Sequence, residues 1–299
     1  MKWGTSDSSP PSSKEVGGRA VLSKADVIYN ELVRDVIENG VWDTDQKVRT
    51  KWSDGTPAHT KSVFGKQLIF DGTEVPILTT KKVYWVTAVK EILWIWQQKD
   101  NNVENLRKQG VTIWDKWELP DKTIGKAYGY QMGKKVRKLN GQLVDQVDFL
   151  LHELKHNPAS RRHITSLWNI DDLDEMSLQP CVWHTQWLVK ESKLHLIVGQ
   201  RSCDVAVGLP FNLFQYYVLQ RLISQVTGYE PGQMIFNIGD VHIYDRHIDK
   251  LKEQIELPQY PAPQLWINPE IKDFYQFTID DIKLINYQHG PVIRMEVAQ

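Results

Sequence analysis

The sequence predicts a single α+β domain. Three observations carry that expectation. Apolar residues recur at helical spacing in some segments and form short alternating or continuous runs in others. The two kinds interleave without a regular βαβ rhythm, and no GxGxxG or GxxxxGK[ST] phosphate loop occurs. The chain has 299 residues, 41% hydrophobic and 24% charged, so it has an ordinary globular composition and enough length for one large core.

The elements follow in order. Residues 1–22 are rich in Ser, Pro and Gly and lack apolar periodicity, so a disordered extension is expected there and a folded domain over 23–299. Ser23 is placed as an N-cap, with Asp26 three residues on. Val27, Leu32, Val33, Val36 and Ile37 then mark one helical face up to Gly40. Residues 49–60 read as a loop, with Gly and Pro as its breakers. Residues 62–70 and 75–78 read as short strands. Thr80 is placed as the cap of a helix reaching Trp96. Residues 145–156 form an amphipathic helix stopped by Asn157-Pro158. Residues 163–168 read as a strand, 210–227 as a long helix ended by Gly228, and 235–244 as a strand.

Composition excludes several classes of function. Lys plus Arg number 36 and Asp plus Glu 37, a net charge of −1 that gives no bulk attraction to nucleic acid or anionic lipid. The two cysteines, Cys181 and Cys203, cannot build a disulfide framework, and no signal-peptide pattern opens the chain, so a cytoplasmic location is expected. The longest apolar stretch, 83–96, is broken by Lys90 and Glu91 and is too short for a membrane span. The 12 tryptophans must be buried or line a site for a flat apolar ligand.

Chemistry concentrates in residues 180–212, PCVWHTQWLVKESKLHLIVGQRSCDVAVGLPFN. Strand-like runs at 181–190 and 194–202 flank Glu191-Ser192-Lys193, which fits a three-residue hairpin loop. If Lys190 faces Leu194, Trp183 lies opposite Arg201 and Cys181 opposite Cys203. Arg201, Ser202 and Asp204 then sit beside Cys181. A guanidinium there is expected to lower the thiol pKa, as a nucleophile requires. A small buried hydrophobe beside a structural arginine would leave the same trace.

Other residues carry paired readings. Glu91, among Ala88, Ile92, Leu93 and Ile95, is either a carboxylate in an apolar wall with a raised pKa or part of a polar seam with Thr87 and Gln98. Arg161-Arg162 suits a phosphate or an exposed basic turn. Asn212 opens a helix, where asparagine is usually a cap. Asp240, His242 and Tyr244 alternate and share a strand face, but no third ligand has telling spacing, so no metal site is expected. Trp114 and Trp117 flank Asp115-Lys116 and read as core packing or as part of a site.

Several segments together resemble the folate-dependent thymidylate synthases: FGKQLIFD, VPILTTKKVYW, KEILWIW, IWDKW, AYGYQ, NPASRRHI, LQPCVWHTQW, GQRSCDVAVGLPFN and GDVHIYDRHI. They occur in the family's order across roughly residues 25–297. The most specific is RSCDVAVGLPFN preceded by PC at this spacing. The resemblance implies a mixed or antiparallel sheet flanked by helices. It implies reductive methylation of dUMP to dTMP, with 5,10-methylenetetrahydrofolate supplying carbon and hydride and leaving as dihydrofolate, and no metal.

The same resemblance implies roles. Cys181 is the nucleophile that adds to C6 of dUMP, and a thiolate is well suited to so weak a Michael acceptor. Asn212 bonds N3 and O4 of the base, its amide offering a donor and an acceptor together. Glu91 orders waters and relays protons, and Tyr128 lies beside the C5 proton. Arg201, Ser202, Arg49, Arg161 and Arg162 hold the phosphate, the adjacent pair reaching over from the partner in a homodimer. His242 and Tyr244 hold the 3′-hydroxyl, and Gln200 joins the nucleotide site. Asp204, grouped with Arg201 among both the catalytic and the nucleotide-binding residues, bonds the pterin. Ile113, Trp114, Trp117, Gly208 and Phe211 line the folate cleft, and Lys81 faces the glutamate tail.

The sequence departs from the common family pattern at Val182, at Lys116, in the longer loop after Arg49 and at the terminal Gln299. Two other functions compete with dTMP synthesis. One is a pyrimidine nucleotide hydroxymethylase on the same fold, in which water captures the intermediate. The other is a silent relative that binds nucleotide or RNA, against which stands the joint presence of Cys181, Glu91, Tyr128, Arg201 and Asn212.

Overall fold

The computed structural model describes residues 22–299. The extension expected over 1–22 therefore lies, Leu22 apart, outside the described residues. In chain order the elements are α1 (Lys24–Asn39), β1 (Val41–Trp42), β2 (Thr60–Phe70), α2 (Trp85–Trp96), α3 (Val103–Arg107), α4 (Gly129–Gly133), β3 (Arg137–Leu139), β4 (Gln142–Val144), α5 (Gln146–His156), β5 (His163–Ser166), β6 (Val182–Lys190), β7 (Lys193–Asp204), α6 (Gly208–Thr227), β8 (Glu230–Tyr244), α7 (Ile248–Gln254), β9 (Gln264–Ile267) and β10 (Ile282–Ile285).

Six strands form one sheet in the order β1-β2-β8-β7-β6-β5. Every pairing in it is antiparallel except β7 with β8. A parallel pair needs a crossover, and α6 provides it. That helix is buried on almost every side, so apolar residues occupy most of it and even Gln215, Gln220 and Ser224 are buried. It packs against α2 on one side and β7 and β8 on the other. Gly228 ends it at φ 82°, a left-handed conformation that glycine adopts without steric cost. Trp94, Trp96, Trp187, Phe214 and Phe236 fill the core.

The sheet changes phase part-way along its central strands. In β8 the even-numbered Met234, Phe236 and Ile238 are buried, and beyond them the odd-numbered Val241 and Ile243 enter the core, with His242 buried between them. In β7 the inward set passes from Leu194, Leu196 and Val198 to Cys203. Gly65 (φ 79°) in β2 and Gly239 in β8 lie at this level, and a Cβ on Gly239 would meet the Arg201 carbonyl at 2.9 Å. Past the kink the core takes Cys203, Val241 and Ile243, whereas Asp204 and Tyr244 remain only partly buried.

The structure corrects four local expectations. Residues 75–78 join no sheet and include a tight turn in which the Ile77 N–H donates to the Val75 carbonyl (2.9 Å), although Ile77 and Leu78 are fully buried. Thr80 does not cap α2, which starts at Trp85; its hydroxyl donates instead to buried Asp26 (3.0 Å), which also accepts the Thr79 N–H (3.0 Å). Ser23 precedes α1 without a capping side-chain bond. The β6–β7 hairpin turns on two residues, because Lys190 pairs with Lys193 and both Glu191 and Ser192 have positive φ. A bulge between Val182 and His184 shifts the register once more. Cys181 therefore lies opposite Arg201, whose N–H donates to its carbonyl (2.8 Å), and Cys203 pairs with Val241 instead.

Candidate active site

Cys181 sits just before β6, half-buried, at the level where the sheet changes phase. Its backbone N–H donates to the Tyr128 hydroxyl (3.2 Å). Tyr128 is held at φ 44° immediately before α4, an uncommon conformation for a bulky residue and one that marks sites where position outweighs backbone comfort. The residue after it, Gly129, is required: a Cβ would lie 1.9 Å from the Asp100 carbonyl oxygen.

Arg201 donates to the carbonyls of Pro180 (3.0 Å) and Gln179 (2.9 Å) and packs over Trp168, so it braces the turn that carries Cys181. Its charge draws the thiol toward ionisation, as expected. Burial outweighs that pull, and the Cys181 pKa lies above the ordinary thiol value, with nearby Asp204 adding to the rise. The expected net lowering is not found.

Glu91 is the most perturbed carboxyl of the cleft. Burial raises its pKa to about 7, against two hydrogen bonds that favour the charged form. Those bonds come from Trp114 Nε1 (2.7 Å) and Gln215 Nε2 (2.5 Å). This is the carboxylate in an apolar wall; the alternative seam with Thr87 and Gln98 does not form. Trp114 also packs edge-on against Tyr128, with ring centroids 5.1 Å apart, and against Trp117 at 5.7 Å.

Asn212 lies inside α6 and is not its cap. No side chain caps the helix, whose N-cap position is Val207; Asp204 instead shapes the turn ahead of it, its Oδ1 accepting the N–H groups of Ala206 (2.9 Å) and Val207 (3.1 Å) as the chain leaves β7. The Asn212 amide is spanned by two others. Gln200 Nε2 donates to its Oδ1 (3.3 Å), and its Nδ2 donates to Gln215 Oε1 (3.1 Å). A Cβ on Gly208 would touch only Asp204 and Asn212, at ordinary contact distances, so space stays open beside both. In β8, His242 Nδ1 bonds Asp240 (2.7 Å) and its ring meets Tyr244 edge-on. Asp204 is in register with His242, which brings the ends of β7 and β8 to one place.

A family model described as thymidylate synthase matches residues 27–299. The chain belongs to the thymidylate synthase family. It is similar to the thymidylate synthase of Bacillus subtilis subsp. natto, 65% identical over 278 residues, covering 93% of this chain and all of that one. The thymidylate synthase of Bacillus phage phi3T is 64% identical over the same shares. Among solved structures, thermostable thymidylate synthase A from Bacillus subtilis matches with a TM-score of 0.90 and 64% identity, over 93% of this chain and all of that one. As a member of the family the chain is a methyltransferase of dTMP synthesis, acting on dUMP with 5,10-methylenetetrahydrofolate as cosubstrate.

The remaining residues expected from the family pattern take varied positions. Lys81, Phe211 and Val207 line a cleft of about 310 Å³ together with Tyr84, Val292 and Met295. The Lys81 ammonium is turned inward, donating to the Ala206 carbonyl (2.6 Å), and burial lowers its pKa to about 8. Ile113 and Trp117 are partly buried against the core. Arg49 and the pair Arg161-Arg162 are exposed, the pair in the turn between α5 and β5. The segment ending at Gln299 closes onto the loop after Arg49: Gln299 and Lys51 exchange backbone hydrogen bonds in both directions, and Ala298 packs with Trp52 and Ala58. Glu296 accepts from the Ser53 hydroxyl (2.6 Å) and from Arg246 (3.3 Å). A glutamine at the end of the chain is thus compatible with docking of the tail.

Gln215 is not among the residues that the sequence motifs single out. A signal for it existed, since it lies three residues after Asn212 on the same helix and is a polar residue in an apolar run. Glu296 and Arg246 had none, because their pairing joins positions 50 residues apart. Among the described residues, no group of three or more His, Cys, Asp or Glu side chains is arranged to hold a metal.

Proposed function

We propose that the family reaction is divided among the residues of this cleft as follows. Cys181 adds through sulfur to C6 of dUMP, and the electron pair released at C5 attacks the methylene carbon of the folate. Asn212 bonds N3–H and O4 of the uracil, with Gln200 beside it. Glu91 orders water and relays protons near O4, and Tyr128 lies near the C5 proton as it departs. Elimination of tetrahydrofolate leaves an exocyclic methylene. Hydride from the same tetrahydrofolate reduces it, and the thiolate leaves C6, giving dTMP and dihydrofolate. Arg201, Ser202 and Arg49 hold the phosphate, His242 and Tyr244 the 3′-hydroxyl, and Asp204 the pterin. Lys81, Ile113, Trp114, Trp117, Gly208 and Phe211 form the folate side. One observation carries this assignment: a single hydrogen-bonded cluster joins Trp114, Glu91, Gln215, Asn212 and Gln200, while Tyr128 touches both Trp114 and Cys181.

The catalytic domain runs over 23–299 in this reading. No described helix is long and apolar enough to cross a membrane, and a cytoplasmic location accords with the two free cysteines. The functional unit is a homodimer. Phe64 is 86% exposed, Ile164 46% and Trp183 40%, a set of apolar sheet residues that favours burial against a second copy. Arg161 and Arg162 of the partner subunit then complete the phosphate site. In mixed dimers of Cys181→Ala and Arg162→Ala chains, each variant nearly inactive alone, activity is expected to recover to about a quarter of normal by random pairing, because one intact site forms per heterodimer. Assay of remixed chains after denaturation checks this; no recovery rejects the shared site.

Product analysis tests the reaction itself. Incubation with dUMP and 5,10-methylenetetrahydrofolate is expected to give dTMP and dihydrofolate in equal amounts by mass spectrometry and absorbance. The Trp114 indole excludes water from the methylene, so Trp114→Ala is expected to divert part of the flux to 5-hydroxymethyl-dUMP and to lower the dihydrofolate yield. Mainly hydroxymethyl product from the unmodified protein would instead support the hydroxymethylase reading.

A further inference from the structure

Gln215 is buried one turn of α6 away from Asn212 and belongs to a chain of amides that has a direction. Its Nε2 donates to the Ala88 carbonyl (3.3 Å) as well as to Glu91, and its Oε1 accepts from Asn212. On the far side, Gln200 Nε2 donates to the Ser202 carbonyl (3.1 Å) as well as to Asn212 Oδ1. Backbone carbonyls can only accept, so Ala88 and Ser202 each demand an NH2 group. Those two demands set the orientation of Gln215 and Gln200, and these in turn set Asn212. Flipping the Asn212 amide would place NH2 against NH2 at Gln200 and carbonyl against carbonyl at Gln215. In a buried cleft each mismatch strands a polar group.

The orientation matters because Asn212 keeps one N–H and one oxygen lone pair for a ligand. Uracil presents an acceptor at O4 and a donor at N3. Cytosine presents a donor at the 4-amino group and an acceptor at N3, the reverse pattern. An amide free to flip could serve both bases, whereas one held in a single orientation serves only one. We propose that Gln215 is a positioning residue that locks the Asn212 amide and so sets the preference for uracil over cytosine nucleotides; this rests on the assignment of Asn212 to the base. Gln215 itself contacts no reacting atom. Its influence runs through Asn212, with a second branch to Glu91.

Calorimetric dissociation constants for dUMP and dCMP test the proposal on the unmodified protein, Gln215→Met and Asn212→Asp. Methionine keeps the volume and removes both ends of the link. The ratio of the two constants is expected to narrow by about tenfold or more in Gln215→Met. A residue with only a packing role would weaken both nucleotides together and leave the ratio unchanged, and that result overturns the proposal. If Gln215→Met does not fold, Gln215→Ala serves, since a water in the space donates or accepts in either direction and removes the lock equally. Asn212→Asp separates the two levels of the argument. A relaxed ratio there with an unchanged ratio in Gln215→Met rejects Gln215 alone. An unchanged ratio in Asn212→Asp rejects the role of Asn212 and the proposal with it.

Discussion

Replacing Cys181 with alanine is expected to lower kcat by more than about four orders of magnitude, the scale of loss when a covalent nucleophile is deleted. Binding of dUMP is expected to change only a few-fold, because the arginines and the amide cluster do not depend on the sulfur. The unmodified protein is expected to form a covalent adduct with 5-fluoro-dUMP and cosubstrate, since fluorine cannot leave C5 as a proton does. Peptide mass mapping should place that adduct on Cys181. Cys203 cannot compete: it is fully buried, paired in the sheet with Val241, and its thiol pKa is pushed well up by burial. An adduct on Cys203, or an active Cys181→Ala protein, contradicts the assignment.

The second large effect concerns Glu91. Glu91→Gln is expected to lower kcat about 10²- to 10⁴-fold, the usual contribution of a positioned acid–base group. It also disturbs the cluster, because Trp114 and Gln215 both donate to Glu91 and a glutamine side chain has only one acceptor. With the Glu91 pKa at about 7, the activity of the unmodified protein is expected to fall below neutral pH as the carboxylate protonates, and Glu91→Gln should lack that limb.

Stability gives an independent check. The folded-state pKa is raised above the ordinary 4.5, so between about 4.5 and 7 the folded state holds a proton that the unfolded state has released. This term therefore erodes stability as pH rises through that window, reaching roughly 3 kcal/mol above it. Melting curves at pH 5.5 and 8 should show a larger alkaline loss for the unmodified protein than for Glu91→Gln. Equal losses would mean that Glu91 ionises normally.

The contrast between the two cysteines shows how far the sequence could be read. The PC and RSCD segments implied, through a family pattern, the nucleophile's role proposed for Cys181, but spacing alone placed Cys203 opposite it. The two-residue turn at Glu191-Ser192 and the bulge at Val182–His184 each moved the register by one. In a sheet, where faces alternate every residue, each such step changes which side chains meet. The expected depression of the Cys181 pKa failed for a related reason. A neighbouring charge is visible in a sequence, but the depth of burial that outweighed it is not.

Elements and contacts divide along the same line. The sequence by itself determined α1, α5 and α6, the Gly228 stop, the strands before Phe70 and Tyr244, and the α+β class, because periodicity and turn chemistry are local properties. It also carried the family, through segments whose order and spacing are specific. Only the tertiary structure decided that residues 75–78 stay outside the sheet, that Thr80 serves Asp26, and that the strands change phase at the level of Gly65 and Gly239. It alone joined Glu91 to Gln215, 124 positions apart, through the packing of α2 on α6. The physical reason is range. Helix faces and turns are set by neighbours in the chain, whereas the partner of a buried polar group is chosen by whichever distant element desolvates it and can still complete its hydrogen bonds.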